Sequence, residues 1–327
     1  MTPGFKLIHG RILIVTLSNI GDAILTSPVI AQMAGQFPDA KITVVAGPLS
    51  APILEDSRMI HQLLIYDKRK SWAHKIGLIT TLRKHRYDFV IDLRNTAIPF
   101  LVSARKRSPL IRWHKPVQMR ESHLQILRRM GFEIQDLPPM DFFSEEDSLH
   151  AKEILLREGA YCEKGVIAVA PIAASELKTW RLSGFAEVID RLVRSRPEKI
   201  IILGDRRAAE LTGPLGRMHP NRVYNFCGET TLRESAALIA LAKLVITNDS
   251  SMMHLARELK CRIAAVFGPT NPAKFEDSFG AIRIITAGVP CAPCEKTSCR
   301  FERQHCFEDL KSEPVFLACE ELLNATR

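Results

Sequence analysis

An acid, two hydroxyls and a histidine stand together in the segment LVITNDSSMMHLA, residues 244–256. The apolar residues before Asp249 predict the end of a buried strand, and those after Ser251 predict a helix. The first backbone N–H groups of a helix have no partner within the helix, so they can bind a phosphate. With Ser250 they would form an anion site, and His254 could donate to a phosphate oxygen. The alternative is an ordinary helix cap followed by a core histidine.

Charged side chains also follow three other predicted strands. Asp22 comes directly after Gly21, at the start of a helix, where an ionised carboxylate can accept a proton from a substrate hydroxyl or simply cap the helix. Lys178 and Arg181 lie in one loop and could point at phosphates or be solvated. Glu210 follows another strand end and could accept hydrogen bonds from ribose hydroxyls or be an exposed helix acid.

The elements that must position these side chains alternate between strands and helices. Continuous apolar runs such as RILIVTL (11–17) predict parallel strands that are buried on both faces. The other predicted strands are 40–47, 61–67, 87–93, 165–171, 199–205, 222–228, 243–249 and 261–269. The predicted helices include 22–37, 145–158, 182–195 and 231–242, the last with a capping box of Thr231 and Glu234.

Two successive series of this kind predict an α/β protein with two domains, residues 1–155 and 156–327. Ligands bind such folds at the carboxyl ends of the strands, where helix N-termini point at the crevice. The charged residues described above would therefore collect at those edges.

The positive charge of the chain is concentrated in one segment. The net charge is +9, and residues 81–130 alone contain twelve Lys or Arg and three Asp or Glu, which accounts for the whole excess. The densest part, SARKRSPLIRWHK, would bind a polyanion such as an acidic lipid headgroup or a phosphorylated substrate, or form a solvated basic face. Few aromatic residues accompany the charges, so we expect no nucleic acid partner. Its basic residues are Arg105, Lys106, Arg107, Arg112 and Lys115.

The composition is typical of a soluble globular protein, with 46% hydrophobic and 25% charged residues. No run of eighteen or more apolar residues predicts a transmembrane helix, and the first residues lack the apolar core of a signal peptide. We therefore expect a cytoplasmic protein.

Four of the eight cysteines form the cluster CAPCEKTSCRFERQHC: Cys291, Cys294, Cys299 and Cys306. In a reducing compartment such a cluster indicates a metal or redox site more than structural disulfides. The spacing matches no common zinc motif, so three alternatives remain. They are a structural zinc site, free thiols without a function, and a disulfide that forms only on oxidation.

Several motifs, in this order, resemble glycosyltransferase family 9, the ADP-heptose:lipopolysaccharide heptosyltransferases. They are IGDAILTSPVI, YDFVIDLRN, LKTW, NDSSMMHLA, FGPTNP and the cysteine-rich PCAPCEKTSCRFERQHC. The resemblance implies a GT-B fold, in which two Rossmann-like domains face each other across a cleft. The first domain would bind the acceptor and the second the nucleotide sugar. The final helix, about 313–325, would cross back to the first domain.

The resemblance also implies a role for each charged strand end. Asp22 corresponds to the general base, and Lys178 to the lysine that neutralises the donor diphosphate. The donor site would consist of Glu210, Asp249, Ser250, Ser251, His254 and Thr270. Ser251 stands where the family usually has Gly, and because Ser is small we expect it to be tolerated.

The implied activity is inverting transfer of a heptose from ADP-heptose to an inner-core lipopolysaccharide acceptor. The resemblance implies no cofactor and no catalytic metal. The acceptor would be a phosphorylated lipopolysaccharide core or lipid A, reached from the cytoplasmic face of the inner membrane. The alternatives are a GT-B transferase with another donor or acceptor, and a non-catalytic protein that binds sugar nucleotides or serves as a scaffold.

Overall fold

The computed structural model describes residues 6–16, 18–110, 118–275 and 282–325. The chain separates into two compact units, residues 1–144 and 145–327. The second unit begins with helix α6 (Glu145–Arg157), which packs on α9 (Leu232–Leu241) of the same unit. This contact places the whole of α6 in the second unit, whereas the sequence put the boundary inside it. None of the described helices combines the length and the apolar character needed to cross a membrane.

The first unit is built on five parallel strands in the order β3-β2-β1-β4-β5. The inner strands are buried over almost their whole length, which explains their continuous apolar sequences. The elements are β1 (Arg11–Val15), α1 (Ile20–Gln36), β2 (Lys41–Ala46), α2 (Ala51–Leu54), β3 (Gln62–Ile65), α3 (Trp72–Arg83), β4 (Arg86–Asp92), α4 (Ile98–Leu101), β5 (Ser103–Arg107) and α5 (Met119–Arg129).

The second unit contains six parallel strands in the order β11-β10-β9-β6-β7-β8. Besides α6 and α9 its elements are β6 (Val166–Ala170), a 3₁₀ turn (Glu176–Lys178), α7 (Leu182–Ser195), β7 (Lys199–Ile202), α8 (Arg206–Gly216), β8 (Val223–Asn225), β9 (Ala242–Asn248), α10 (Ser251–Glu258), β10 (Ile263–Val266), a 3₁₀ turn (Pro272–Lys274), β11 (Ile282–Ile285), α11 (His305–Glu308) and α12 (Ser312–Asn324).

The nine predicted strands are all present, and the capping box of Thr231 and Glu234 is confirmed at the start of α9. Two strands were not predicted, β5 and β11. Each lies at the edge of its sheet, where a strand is half-exposed and tolerates charge. The residues SARKR therefore have the composition of a charged surface segment, although they pair with β4.

The final helix α12 packs against α7 and strands β9, β10 and β11 of its own unit. It lies within one residue of the predicted range. Its expected crossing to the first unit stays a prediction.

A close packing contact fixes the start of α7. The indole of Trp180 is fully buried and lies against Gly184. A Cβ atom at Gly184 would stand 2.4 Å from a ring carbon of Trp180, so any larger residue must displace that ring.

We expect Gly184→Ala to lower the free energy of unfolding by about 1–3 kcal/mol, because the added methyl group overpacks a rigid aromatic contact. The matched control is Gly77→Ala in α3, an exposed helical position where a Cβ atom would meet no neighbouring atom of the described residues within 4 Å. This control should raise the free energy of unfolding by about 0.5–1 kcal/mol through helix propensity. Urea unfolding of both variants measures the difference, and equal effects would contradict the packing contact.

Candidate active site

The carboxyl end of β9 carries an ion pair. The ammonium of Lys178 lies 2.6 Å from a carboxylate oxygen of Asp249. The Asp249 side chain is only 4% exposed, whereas that of Lys178 is 39% exposed. The lysine therefore neutralises a buried carboxylate and keeps solvent access on its other side. A ligand that carries negative charge can bind there.

Asn248 fixes the loop that carries Lys178. Its side chain is fully buried; the amide NH₂ donates to the carbonyl of Pro171 at 2.7 Å, and the amide oxygen accepts from the backbone N–H of Trp180 at 3.0 Å. Both ends of the loop are thus tied to the strand end that precedes Asp249. The sequence did not predict Asn248 as a site residue. The one feature that could have indicated it is an amide side chain at the end of an otherwise apolar strand.

The first turn of α10 adds backbone donors to the same strand end. Ser250 is the N-cap residue, but its side chain makes no capping hydrogen bond and lies 3.0 Å from the hydroxyl of Thr247. Within the described residues, the first N–H groups of α10 therefore have no side-chain cap. Ser251 is the first helical residue and has no positive φ, so a side chain fits at this position without backbone strain.

His254 lies in the same turn as a buried, neutral side chain. Its ring packs against Phe275 with centroids 5.0 Å apart. Burial lowers the pKa of His254 to about 4, although the carboxylate of Asp249 acts in the opposite direction. Its Nδ1 has no hydrogen-bond partner among the described residues. A hydrogen bond from His254 to a phosphate would come from the neutral ring, and that bond stays a prediction.

Thr270 is buried in the loop after β10, and the cysteine-rich segment holds this loop. The carbonyl of Pro269 accepts hydrogen bonds from the backbone N–H groups of Cys294 and Glu295. The amide of Gln304 donates to the carbonyl of Leu177 at 2.6 Å. One segment, residues 290–306, thus braces the loop of Thr270 and the loop of Lys178.

The four clustered cysteines line a single pocket beside these loops. Burial raises the pKa of Cys306, and the other three cysteines act in the same direction. Among the described residues, no group of three or more His, Cys, Asp or Glu side chains has the geometry of a metal site. The structural zinc at this cluster therefore stays a prediction.

Asp22 belongs to the first unit. It is the third residue of α1 and is partly exposed, and Asn19 is the N-cap residue. The amide of Asn19 donates to a carboxylate oxygen of Asp22 at 3.0 Å. The carboxylate is thus oriented by a neighbouring side chain at the carboxyl edge of the first sheet, and its role as a proton acceptor stays a prediction.

Glu210 is exposed on α8, one turn beyond the N-cap residue Asp205, and its contact with a ribose stays a prediction.

The basic segment is largely engaged in internal hydrogen bonds. Arg105 forms an ion pair with the buried side chain of Asp88. Lys106 and Arg107 donate hydrogen bonds to backbone carbonyl groups. These donors stabilise the edge strand β5. Arg112 and Lys115 lie outside the described residues. An anion-binding role for these five residues stays a prediction.

Residues 76–305 match the family model Glycosyltransferase family 9 (heptosyltransferase). The chain is 26% identical to lipooligosaccharide heptosyltransferase 2 of Campylobacter jejuni, over 93% of this chain and 95% of the relative. It is 27% identical to lipopolysaccharide heptosyltransferase 3 of Escherichia coli K12, over 77% of this chain and 80% of the relative.

Solved structures show the same fold. A family 9 glycosyltransferase from Veillonella parvula superposes with a TM-score of 0.80 at 22% identity, covering 99% of this chain and 98% of that chain. The heptosyltransferase WaaC of E. coli, solved with ADP-2-deoxy-2-fluoro heptose, superposes with a TM-score of 0.71 at 20% identity, covering 95% and 99%.

These matches confirm the resemblance that the motifs suggested, and the two parallel-sheet units have the α/β architecture of the GT-B fold class. The matched region spans both units, from α3 of the first to α11 of the second. The chain is a glycosyltransferase and belongs to glycosyltransferase family 9, the heptosyltransferase family.

Proposed function

We propose that this enzyme transfers a heptose from ADP-heptose to an inner-core sugar of lipopolysaccharide, with inversion at the anomeric carbon. The observation that carries this proposal is the pair of Lys178 and Asp249 beside the uncapped first turn of α10. A cation and unpaired N–H groups at one strand end suit a nucleoside diphosphate. The relatives named for lipopolysaccharide or lipooligosaccharide, and a neighbour solved with an ADP-heptose analogue, supply the donor and acceptor classes.

In the proposed reaction Asp22 accepts the proton of an acceptor hydroxyl. The oxygen then attacks the anomeric carbon from the face opposite the diphosphate. The bond between that carbon and the diphosphate oxygen breaks, and ADP leaves with the bonding electron pair. Lys178 and the first N–H groups of α10 stabilise the charge that develops on the leaving group. His254, Thr270 and Glu210 would complete the contacts with the nucleotide.

The acceptor in this proposal is a phosphorylated lipopolysaccharide core or lipid A, so the enzyme would act on the cytoplasmic face of the inner membrane. The second candidate is a transfer with another nucleotide sugar, because the diphosphate contacts do not depend on the base or on the sugar.

Calorimetric titration with ADP, ADP-heptose, UDP and UDP-glucose separates these two. Preference for ADP-heptose, abolished by Asp249→Ala, is the expected result. Preference for a UDP-sugar would show that the donor is that UDP-sugar and not ADP-heptose. If none of the four ligands binds, the end of β9 is not a donor site, and the non-catalytic scaffold is the alternative that stays.

We expect Asp22→Asn to lower turnover by about 10²–10⁴-fold, since an amide cannot accept the hydroxyl proton. The affinity for ADP should stay near that of the wild type, because the nucleotide contacts lie in the other unit. Turnover and ADP titration measure the two effects. Asp39→Asn, an exposed acid of the same unit, serves as the control. Wild-type turnover in Asp22→Asn would remove the general-base assignment.

We expect Lys178→Ala to weaken ADP binding by about 10–100-fold, the effect of losing a hydrogen bond from a charged donor. Turnover should fall as well, because the leaving diphosphate loses its cation. The control is Lys164→Ala, which removes an exposed lysine of the same unit. If ADP affinity is unchanged in Lys178→Ala and turnover alone falls, the lysine does not bind the ground-state diphosphate.

Asn248→Asp tests how Lys178 is positioned. The new carboxyl would be fully buried, so its pKa would be raised. Once protonated it can donate to the carbonyl of Pro171 as the amide does, and once ionised it cannot.

We therefore expect the ADP affinity of Asn248→Asp to be low at about pH 8 and to recover toward the wild-type value at about pH 6. Titrations of both proteins across this range measure the recovery. A constant ratio of affinities across the range would show that Asn248 has no such positioning role.

A further inference from the structure

Helix α3 exposes an apolar face. Trp72 is 77% exposed and Ile76 is 63% exposed, and they stand four residues apart on one side of the helix. Ala73 is also exposed on this side, where a surface helix normally carries polar residues. Large apolar side chains in this arrangement mark an interaction site.

The end of β3 adjoins this face. A ring nitrogen of His74 lies 3.3 Å from the carbonyl oxygen of Ile65, whose side chain is 46% exposed. We call Ile65, Trp72 and Ile76 the apolar lip. At the other end of α3, the short helix α4 adds Phe100, which is 72% exposed.

Positive charge surrounds the apolar lip. Residues 66–86 contain seven Lys or Arg and one Asp, which gives a net charge of +6. Lys68, Arg69 and Lys70 are exposed and end one residue before the start of α3 at Trp72, separated from it by Ser71. The guanidinium of Arg69 also pairs with Asp67 at 3.3 Å and stays 76% exposed. The ammonium of Lys75 lies 4.9 Å from the centre of a Trp72 ring. The lip therefore joins an aromatic side chain to several cations, a combination that suits the boundary between lipid headgroups and acyl chains.

The apolar lip lies at the carboxyl edge of the first sheet, the edge from which the chain passes from β1 to the helix of Asp22. The strands run parallel in the order β3-β2-β1, so the segments that follow β3 and β1 leave the same edge. Neighbouring strands lie about 4.8 Å apart, which puts these two strand ends about 10 Å from each other. A surface that touches the lip would thus be close to the proposed proton acceptor.

We propose that the apolar lip and Lys68, Arg69 and Lys70 dock this enzyme on an anionic phospholipid bilayer. The inference rests on the proposed function, which requires access to an acceptor in a membrane. Trp72 and Ile76 enter the headgroup boundary, and the cations meet lipid phosphates. A second copy of the chain would bring the same positive segment against itself, so like-charge repulsion disfavours that occupant.

Vesicle co-sedimentation tests the docking surface. We expect the wild-type protein to bind vesicles of phosphatidylcholine with about one-third phosphatidylglycerol, at low salt, and not vesicles of phosphatidylcholine alone. Trp72→Ala combined with Ile76→Ser should reduce binding at least tenfold. Lys68→Ser combined with Lys70→Ser should reduce it by about 25-fold, since each cation near the surface contributes about fivefold.

Matched controls come from the second unit. Leu149 and Leu156 of α6 are 61% and 60% exposed, so Leu149→Ser with Leu156→Ser also removes two large exposed apolar side chains from one helix. Lys152→Ser with Lys164→Ser removes two exposed cations. Both controls should bind vesicles as the wild type does. Addition of anionic vesicles should also shift the tryptophan emission to shorter wavelength, and Trp72→Phe should lose this shift.

The proposal is overturned if the wild-type protein does not bind anionic vesicles. It is also overturned if the lip variant, Trp72→Ala with Ile76→Ser, and its control, Leu149→Ser with Leu156→Ser, lose vesicle binding equally. It is also overturned if sedimentation shows a dimer that the lip variant alone abolishes. Absence of vesicle binding together with normal titration by ADP-heptose refutes the docking surface and leaves the proposed function intact. Vesicle binding without any affinity for ADP-heptose refutes the proposed function and leaves the docking surface.

Discussion

The buried amide of Asn248 is the interaction on which the site of the second unit depends. A buried amide is stable only if both of its polar groups have partners, and these partners are the carbonyl of Pro171 and the N–H of Trp180. The loop between them therefore has one favourable conformation. That conformation places Lys178 beside Asp249, the residue that follows Asn248 in the chain.

The same loop is held by two further contacts that act in different ways. The Trp180 indole packs against Gly184, which has no side chain to separate them, and the amide of Gln304 holds the carbonyl of Leu177. Packing, a buried amide and a hydrogen bond from a distant segment thus restrain one loop. Such restraint reduces the conformational entropy that the lysine would lose on binding an anion. The functional residues proposed in the first unit are less buried, since Asp22 and the apolar lip are accessible to solvent.

The sequence predicted most of the fold because the inner parallel strands are continuous apolar runs between turn residues. It did not predict β5, because an edge strand with the sequence SARKR satisfies its basic side chains through local carbonyl groups that no sequence pattern reveals. Lys178 and Asp249 could be chosen as site residues from the sequence. Their contact could not be predicted, because the two positions are far apart in the chain. Asn248 could not be chosen, because its role depends on two backbone groups of another loop.

The cysteine-rich segment offers a route to observing the donor loops directly. Cys294 and Cys299 are exposed, whereas Cys227, Cys306 and Cys319 are buried and burial raises the pKa of each thiol. A thiol-directed fluorophore at neutral pH would therefore attach preferentially to the exposed pair. Because the same segment is hydrogen-bonded to the loops of Lys178 and Thr270, the attached dye would sense their movement in real time. The natural sequence thus carries its own attachment point for a spectroscopic reporter.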